Sequence, residues 1–133
     1  MNNDSVMYDA KDVILTVNNI VIKGFQDGDM ISYTVKEDRV QTDVDAQGFG
    51  TMSRNNNRLG QITINLSGSS PSHKYLNSLA NSNEVFSIVI QGPNEKVSGT
   101  QAVIAKPADG AFGKQTPKRT YAVEVLDMDV QVA

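Results

Sequence analysis

Between Gly60 and Ala80 the chain changes its hydrophobic period once, and that change limits what it can fold into. In Gly60–Ser67, Ile62, Ile64 and Leu66 alternate with Gln61, Thr63, Asn65 and Ser67. Strand side chains point to opposite faces in turn, so this segment predicts a half-buried strand with one polar face. Ser70 followed by Pro71 is a helix-start signal, a hydroxyl to cap free N–H groups and then a residue already fixed at helical φ. Tyr75, Leu76, Leu79 and Ala80 follow as one apolar stripe at helical spacing, which predicts a helix from Pro71 to about Asn81 packed through that stripe.

The rest of the chain reads as short strands. Residues 1–11 carry little pattern and predict a loose arm. Val13, Leu15 and Val17 share a face, Ile20 to Lys23 is apolar again, and Asn18-Asn19 between them tolerates the positive φ of a tight hairpin turn. Ile31–Val35 is a short strand, and Val40, Thr42 and Val44 alternate with Gln41, Asp43 and Asp45. A Gly-rich turn at residues 46–50 and a returning strand at Thr51–Arg54 make residues 38–58 a hairpin with a polar tip, Asn55-Asn56-Asn57-Arg58. Glu84–Gln91 has apolar residues on both faces, the pattern of a strand covered on both sides. Lys96–Lys106 is a long strand weakened by Gly99, and residues 107–118 are a Pro/Gly/Lys/Thr loop. In Arg119–Val132 the apolar residues move from odd positions (Tyr121, Val123, Val125) to even ones (Leu126, Met128, Val130), which predicts a bulge or layer change at Val125–Leu126. Asp127 and Asp129 then share a polar face. Together these segments describe one mainly β domain over 133 residues, a sandwich or barrel with a single packed helix.

Composition removes most kinds of chemistry. There is no Cys, so disulfides, thiolate catalysis and Cys-type zinc sites are excluded. The one histidine, His73, reads as a surface or capping residue and has no second imidazole to share a metal with. The pairs Asp27/Asp29, Asp43/Asp45 and Asp127/Asp129 put carboxylates on one face, but none sits in a calcium loop, so they read as solvated. Gly68-Ser69-Ser70-Pro71 has the look of an anion cradle, and helix capping explains the same residues. A net charge of −3 gives no electrostatic case for gripping nucleic acid or a membrane, and Arg54, Arg58, Lys114, Lys118 and Arg119 read as scattered loop cations. No apolar run is long enough to span a bilayer, and the polar start Met1-Asn2-Asn3-Asp4-Ser5 does not read as a signal peptide, so synthesis in a cytoplasm is expected. No enzyme, cofactor or metal is predicted. The residues leave a structural subunit and a binding module, such as a carbohydrate-binding β-sandwich, both open.

The order and spacing of several segments together resemble the bacteriophage tail tube proteins of contractile-tailed phages. The resemblance runs through Asp12–Thr16, Ile22–Ile31, Asp38–Val40, the turn Ala46–Gly50, Arg54, Gly60–Leu66, and Ser70-Pro71-Ser72 leading into Leu76 and Leu79. It covers most of the chain and thins after Asn83. Relatives of that family include siphophage tubes and the tube protein of type VI secretion systems.

The resemblance implies a β-sandwich-like subunit with one outer helix, assembled as hexameric rings stacked into a hollow tube. Such a tube belongs to the virion tail, is made in the host cytoplasm, works with sheath, baseplate and tape-measure proteins, and conducts DNA without binding it specifically. A tail-completion or baseplate ring, or the tube of a phage-derived injection device, are the neighbouring alternatives. On this reading Gln41, Asp43, Asp45, Gln61, Thr63 and Asn65 are expected to face the lumen from two adjacent strands. Arg54, Asn55, Asn56, Asn57, Arg58, Lys114 and Lys118 are expected at contacts between subunits or rings, and Tyr75, Leu76 and Leu79 at the helix packing face.

Overall fold

The structure is a computed structural model that describes residues 9–132. After a 3-10 turn at Ala10–Asp12 come β1 (Ile14–Val17), β2 (Ile20–Val21), β3 (Ile31–Val35), β4 (Val40–Val44), β5 (Gly50–Arg54) and β6 (Gly60–Ser67). The helix α1 (His73–Ser82) then precedes β7 (Phe86–Gln91), β8 (Glu95–Ile104), β9 (Lys118–Val125) and β10 (Asp129–Val132). Most of the expected N-terminal arm, residues 1–8, lies outside the described residues; its end is the 3-10 turn, capped by the Asp9 carboxylate.

Eight strands form one antiparallel sheet in the order β2-β1-β7-β8-β9-β6-β3, with β10 also on β8. Asn18 and Asn19 both take positive φ, 53° and 66°, as the expected β1–β2 hairpin turn requires. Past β2 the chain crosses from one part of the sheet to another. Ile22 donates to the Leu15 carbonyl at 2.9 Å, Ser67 donates to Gly24 at 2.8 Å, and Gln26 donates to Asn65 at 3.0 Å. This crossing ties the β1 edge to the end of β6 and draws the sheet round a common interior, which limits the open edge a flat sheet would expose.

The interior is a single aliphatic cluster. Leu15, Val17, Ile62, Ile64, Leu66, Leu76, Ile88 and Ile104 are fully enclosed, joined by Tyr121 and Met128. The alternation in β6 is real: its even positions are buried and its odd ones half-buried. Leu76, Leu79 and Ala80 bring α1 into the same cluster, while Tyr75 packs at its margin and accepts a hydrogen bond from Asn18 Nδ2 at 3.3 Å.

Two expectations change. The helix begins at His73, with Pro71 and Ser72 forming a turn ahead of it, while the Ser70 hydroxyl does take a free N–H, that of Ser72, as the start signal expects. Ser70 Oγ donates to the Lys23 carbonyl and accepts from Ser72 N, while Ser72 Oγ accepts from Lys23 N at 2.9 Å. The two hydroxyls fasten the helix entrance to the β2–β3 connection. Strand β7 is covered on one side only: Phe86, Ile88 and Ile90 point inward, Ser87 and Val89 are half-buried outside, and Val85 precedes the strand, exposed.

The face switch at Val125–Leu126 is a break in pairing without a change of register, and the bulge lies in the neighbouring pair β7–β8, between Phe86 and Ile88. β9 pairs with the second half of β8 (Ala102↔Val125, Ile104↔Val123) and β10 with the first half (Ser98↔Asp129, Glu95↔Val132), so β9 and β10 are one interrupted partner of β8. Asp127 fills the interruption. Its carboxylate accepts from the backbone N–H of Thr100 and Gln101, both at 3.0 Å, and from the Thr100 hydroxyl. It therefore supplies an acceptor where the ladder is interrupted, and does not share a free polar face with Asp129. Gly99 opposite has no room for a side chain: a Cβ there would lie 2.3 Å from Val125 Cγ1.

Candidate assembly surfaces

The polar face of β6 is continued by its neighbours. Gln61 pairs with Thr34 of β3 and Glu124 of β9, Thr63 with Ser32 and Ala122, and Asn65 with Thr120. Asn65 is held on both sides of its amide, donating to the Asp29 carbonyl at 3.1 Å and accepting from Thr120 Oγ1 at 2.9 Å. At the far end Lys36 and Glu124 form an ion pair, the only one among the described residues. The result is a wall of hydroxyls and amides that carries the Lys36–Glu124 pair at one end and the exposed Lys118, opposite Ser67, at the other.

Gln41, Asp43 and Asp45 stand elsewhere. β4 and β5 form a two-stranded sheet of their own, so β4 is not the neighbour of β6. Gln41 pairs with Ser53 and Asp43 with Thr51 on the hairpin's polar face. Asp45 lies past the strand, where its carboxylate accepts from the N–H groups of Gln47 and Phe49, both at 2.9 Å, and shapes the turn.

The hairpin's other face is apolar and uncovered. Val40, Val44 and Met52 alternate onto it, with Phe49 at the tip, and they are 52%, 70%, 80% and 72% exposed. Sequence reading marked residues 38–58 as polar because it weighed the tip and the charges. The alternation of Val40, Thr42 and Val44 was legible; what it did not show is that Met52 joins that face across the hairpin with no described residue covering it.

At the following tip, Asn55 and Asn57 are spent within the chain. Their amides both donate to Glu37 Oε2, at 3.0 and 3.1 Å, and their carbonyl oxygens accept from the N–H groups of Asn57 and Leu59. Arg54, Asn56 and Arg58 keep exposed side chains, though the Arg58 carbonyl accepts from Met128 N at 3.0 Å and anchors the tip to the segment between β9 and β10. In the loop after β8, Lys114 is exposed, and Lys118 opens β9 opposite Ser67, also exposed. Arg119, expected among the loop cations, is instead only 7% exposed on the inward face of β9.

Titratable groups build structure here. His73 Nδ1 and the Tyr121 hydroxyl lie 2.7 Å apart, so the histidine satisfies a tyrosine at the core margin and is not simply a surface cap. Burial raises the Tyr121 pKa, with the Arg119 charge opposing. The bond to Glu95, then burial, raises that of Tyr33, whose hydroxyl donates to Glu95 Oε2 at 2.7 Å. For Asp127 burial pushes upward, but the hydrogen bonds from the Thr100 hydroxyl and the Gln101 and Thr100 backbone outweigh it and hold the carboxyl below its usual range. Among the described residues no cluster of His, Asp or Glu could hold a metal ion.

The surfaces on offer are thus for contact: a mostly uncharged polar wall, an uncovered hairpin face and a long basic loop. Comparisons with known proteins agree with that character. The bacteriophage PhiTE tail tube protein family matches residues 16–130. No curated protein matches. A solved structure of the anti-feeding prophage cap, a tube-terminating cap, superposes with a TM-score of 0.66 at 14% identity, covering 99% of this chain and 97% of that one. A chain from the sheath–tube complex of an extracellular contractile injection system gives 0.63 at 15% identity over 98% and 95%. Hcp1 from Flavobacterium johnsoniae gives 0.53 at 13% identity over 91% and 95%. At such identities these structures share the fold; the family match, across most of the chain, is what makes it a member of the PhiTE tail tube family.

Proposed function

We propose that this tail tube protein builds hexameric rings that stack into a hollow tube, and that the tube conducts DNA during ejection. The observation that carries the reading is the β4–β5 hairpin, whose largely apolar face no described residue of its own chain covers. A lone two-stranded hairpin is marginal in water. Residues 50–80% exposed on such an element are explained if a neighbouring copy covers them, and a repeated head-to-tail contact of that kind generates rings and stacks. The hairpin, with Arg54, Asn56 and Arg58 beside it, is therefore assigned to contacts between rings. Gln41, Asp43 and Asp45 go with it, since they belong to the hairpin and not to the body of the sheet.

The wall of β3, β6 and β9 is assigned to the lumen, with Gln61, Thr63 and Asn65 at its centre. A duplex passing such a wall meets hydroxyls, amides and a self-neutralised ion pair, and releases few counterions in doing so. Each neutralised phosphate would add affinity and slow the passage, so a wall with few cations, Lys118 at its rim, suits transit. Sheath, baseplate and tape-measure proteins are the expected partners, and the role is structural, without catalysis. Electron microscopy of the purified protein tests the assembly. Hollow tubes with six-fold end views are expected; isolated rings would favour a terminator or baseplate role, and a strict monomer at high concentration would contradict both.

A further inference from the structure

The loop after β8 is shaped by a buried cation. Arg119 continues the inward face of Tyr121, Val123 and Val125, yet among the described residues no carboxylate pairs with it. Its Nη1 donates to the carbonyls of Lys118, at 2.8 Å, and Ala111, at 3.4 Å. The loop closes over it so tightly that a Cβ at Gly110 would come within 3.1 Å of its guanidinium carbon. On the outer side the guanidinium lies 5.1 Å from the centre of the Phe112 ring. That ring is 89% exposed, the most exposed large hydrophobic side chain described. A cation under one face fixes an aromatic ring that water would otherwise leave free, and a pre-positioned aromatic loses little entropy on docking.

A matching receptor exists on the same chain. Between the edge strand β3 and the β7–β8 turn runs a groove of about 580 Å³, lined by Val13, Ile31, Tyr33, Ile90, Pro93 and Val97, with Glu95 as its one charged residue. Charge separates the two most exposed apolar elements among the described residues, the Phe112 loop and the Met52 hairpin. Residues 105–118 carry Lys106, Lys114 and Lys118 against Asp109, whereas residues 40–54 of the hairpin carry Asp43 and Asp45 against Arg54. The basic loop suits the acidic groove and the hairpin does not.

We infer that Phe112, held by Arg119, docks in the Ile31–Tyr33–Pro93 groove of a second copy, with Lys114 facing Glu95 across the contact. This rests on the tube reading above and adds a second, distinct contact to the hairpin's. Arg119 is a positioning residue: it holds the loop in its docking shape before any partner arrives.

The chain's lack of cysteine makes the test clean. The double variant Asn94→Cys with Gly113→Cys, oxidised under assembly conditions, is expected to give ladders of covalent multimers. Asn94→Cys with Met52→Cys is expected to stay single-chain; ladders from this pair alone would put the hairpin in the groove and overturn the inference. Phe112→Ser should leave the free subunit's melting unchanged and raise the critical concentration for assembly by at least about tenfold. Lys114→Glu and Glu95→Lys should each weaken assembly, and together restore it. Arg119→Lys should speed amide exchange across residues 107–117. If the parent assembles and Phe112→Ser assembles equally well, this inference fails and the tube reading stands. If the parent does not assemble at all, both fall.

Discussion

Strands β6 and β4 follow the same rule and meet opposite fates. Each alternates apolar and polar residues over its length, but Ile62, Ile64 and Leu66 are fully buried, while Val40 and Val44 stand 52% and 70% exposed. The difference lies in what surrounds them. β6 is flanked by β3 and β9 and backed by the cluster that includes Leu76 and Tyr121, whereas β4 has only β5 beside it and, among the described residues, nothing behind. Alternation fixes which side chains share a face; it does not say whether the cover for that face comes from the same chain. In β6 the cover is the chain's own core, and in the hairpin it is expected from another subunit.

Substitutions can break this contrast at either end. The largest effect is expected at Ile64→Asp, which would bury an unpaired carboxylate and cost more than about 4 kcal/mol, enough to lose the native circular dichroism spectrum. Asp127→Ala should cost about 1 kcal/mol in denaturant melts, because it removes charge-assisted bonds from Thr100 and Gln101 at an exposed site where water replaces part of them. The same carboxyl carries a pH signature. Its folded pKa is depressed below the ordinary value of 3.8, so its contribution is complete above that value and is lost as pH falls through the lower, folded pKa. Stability of the parent should therefore decline more steeply with acid below about pH 4 than that of Asp127→Asn. Met52→Ser, at a residue 80% exposed, should change the free subunit by less than about 0.5 kcal/mol while weakening assembly measurably in sedimentation. The smallest effect is expected at Thr63→Lys: an unchanged melt, with a new salt-dependent affinity for duplex DNA in assembled tubes.

These expectations also mark how far the sequence could be read. The β6 register, the Asn18-Asn19 turn and the interruption at Val125–Leu126 were legible, because each rests on local backbone preference or on a period of two. The carboxylate filling that interruption was not. Asp127 reads as half of a solvated Asp-x-Asp pair until the long-range pairing of β8 with β9 and β10 brings Thr100 and Gln101 to it. Arg119 escaped for a related reason: its position on the inward face follows from strand register, but a terminal cation is easily assigned to the loop beside it. The wall was half legible. Gln61, Thr63 and Asn65 share a face as the alternation required, while the partner strand was taken from chain order, which gave β4 in place of β3 and β9. Sheet order is a long-range property that local periodicity does not carry.

The contrast between β6 and the hairpin is tested most directly by backbone hydrogen exchange, measured on the free subunit and on assembled material. Amides of residues 40–54 are expected to exchange quickly in the free subunit and to become protected on assembly, while those of Ile62, Ile64 and Leu66 are slow in both states. Assembled material in which residues 40–54 still exchange as fast as in the free subunit would contradict the account, since the hairpin's apolar face would then remain uncovered in the form meant to cover it.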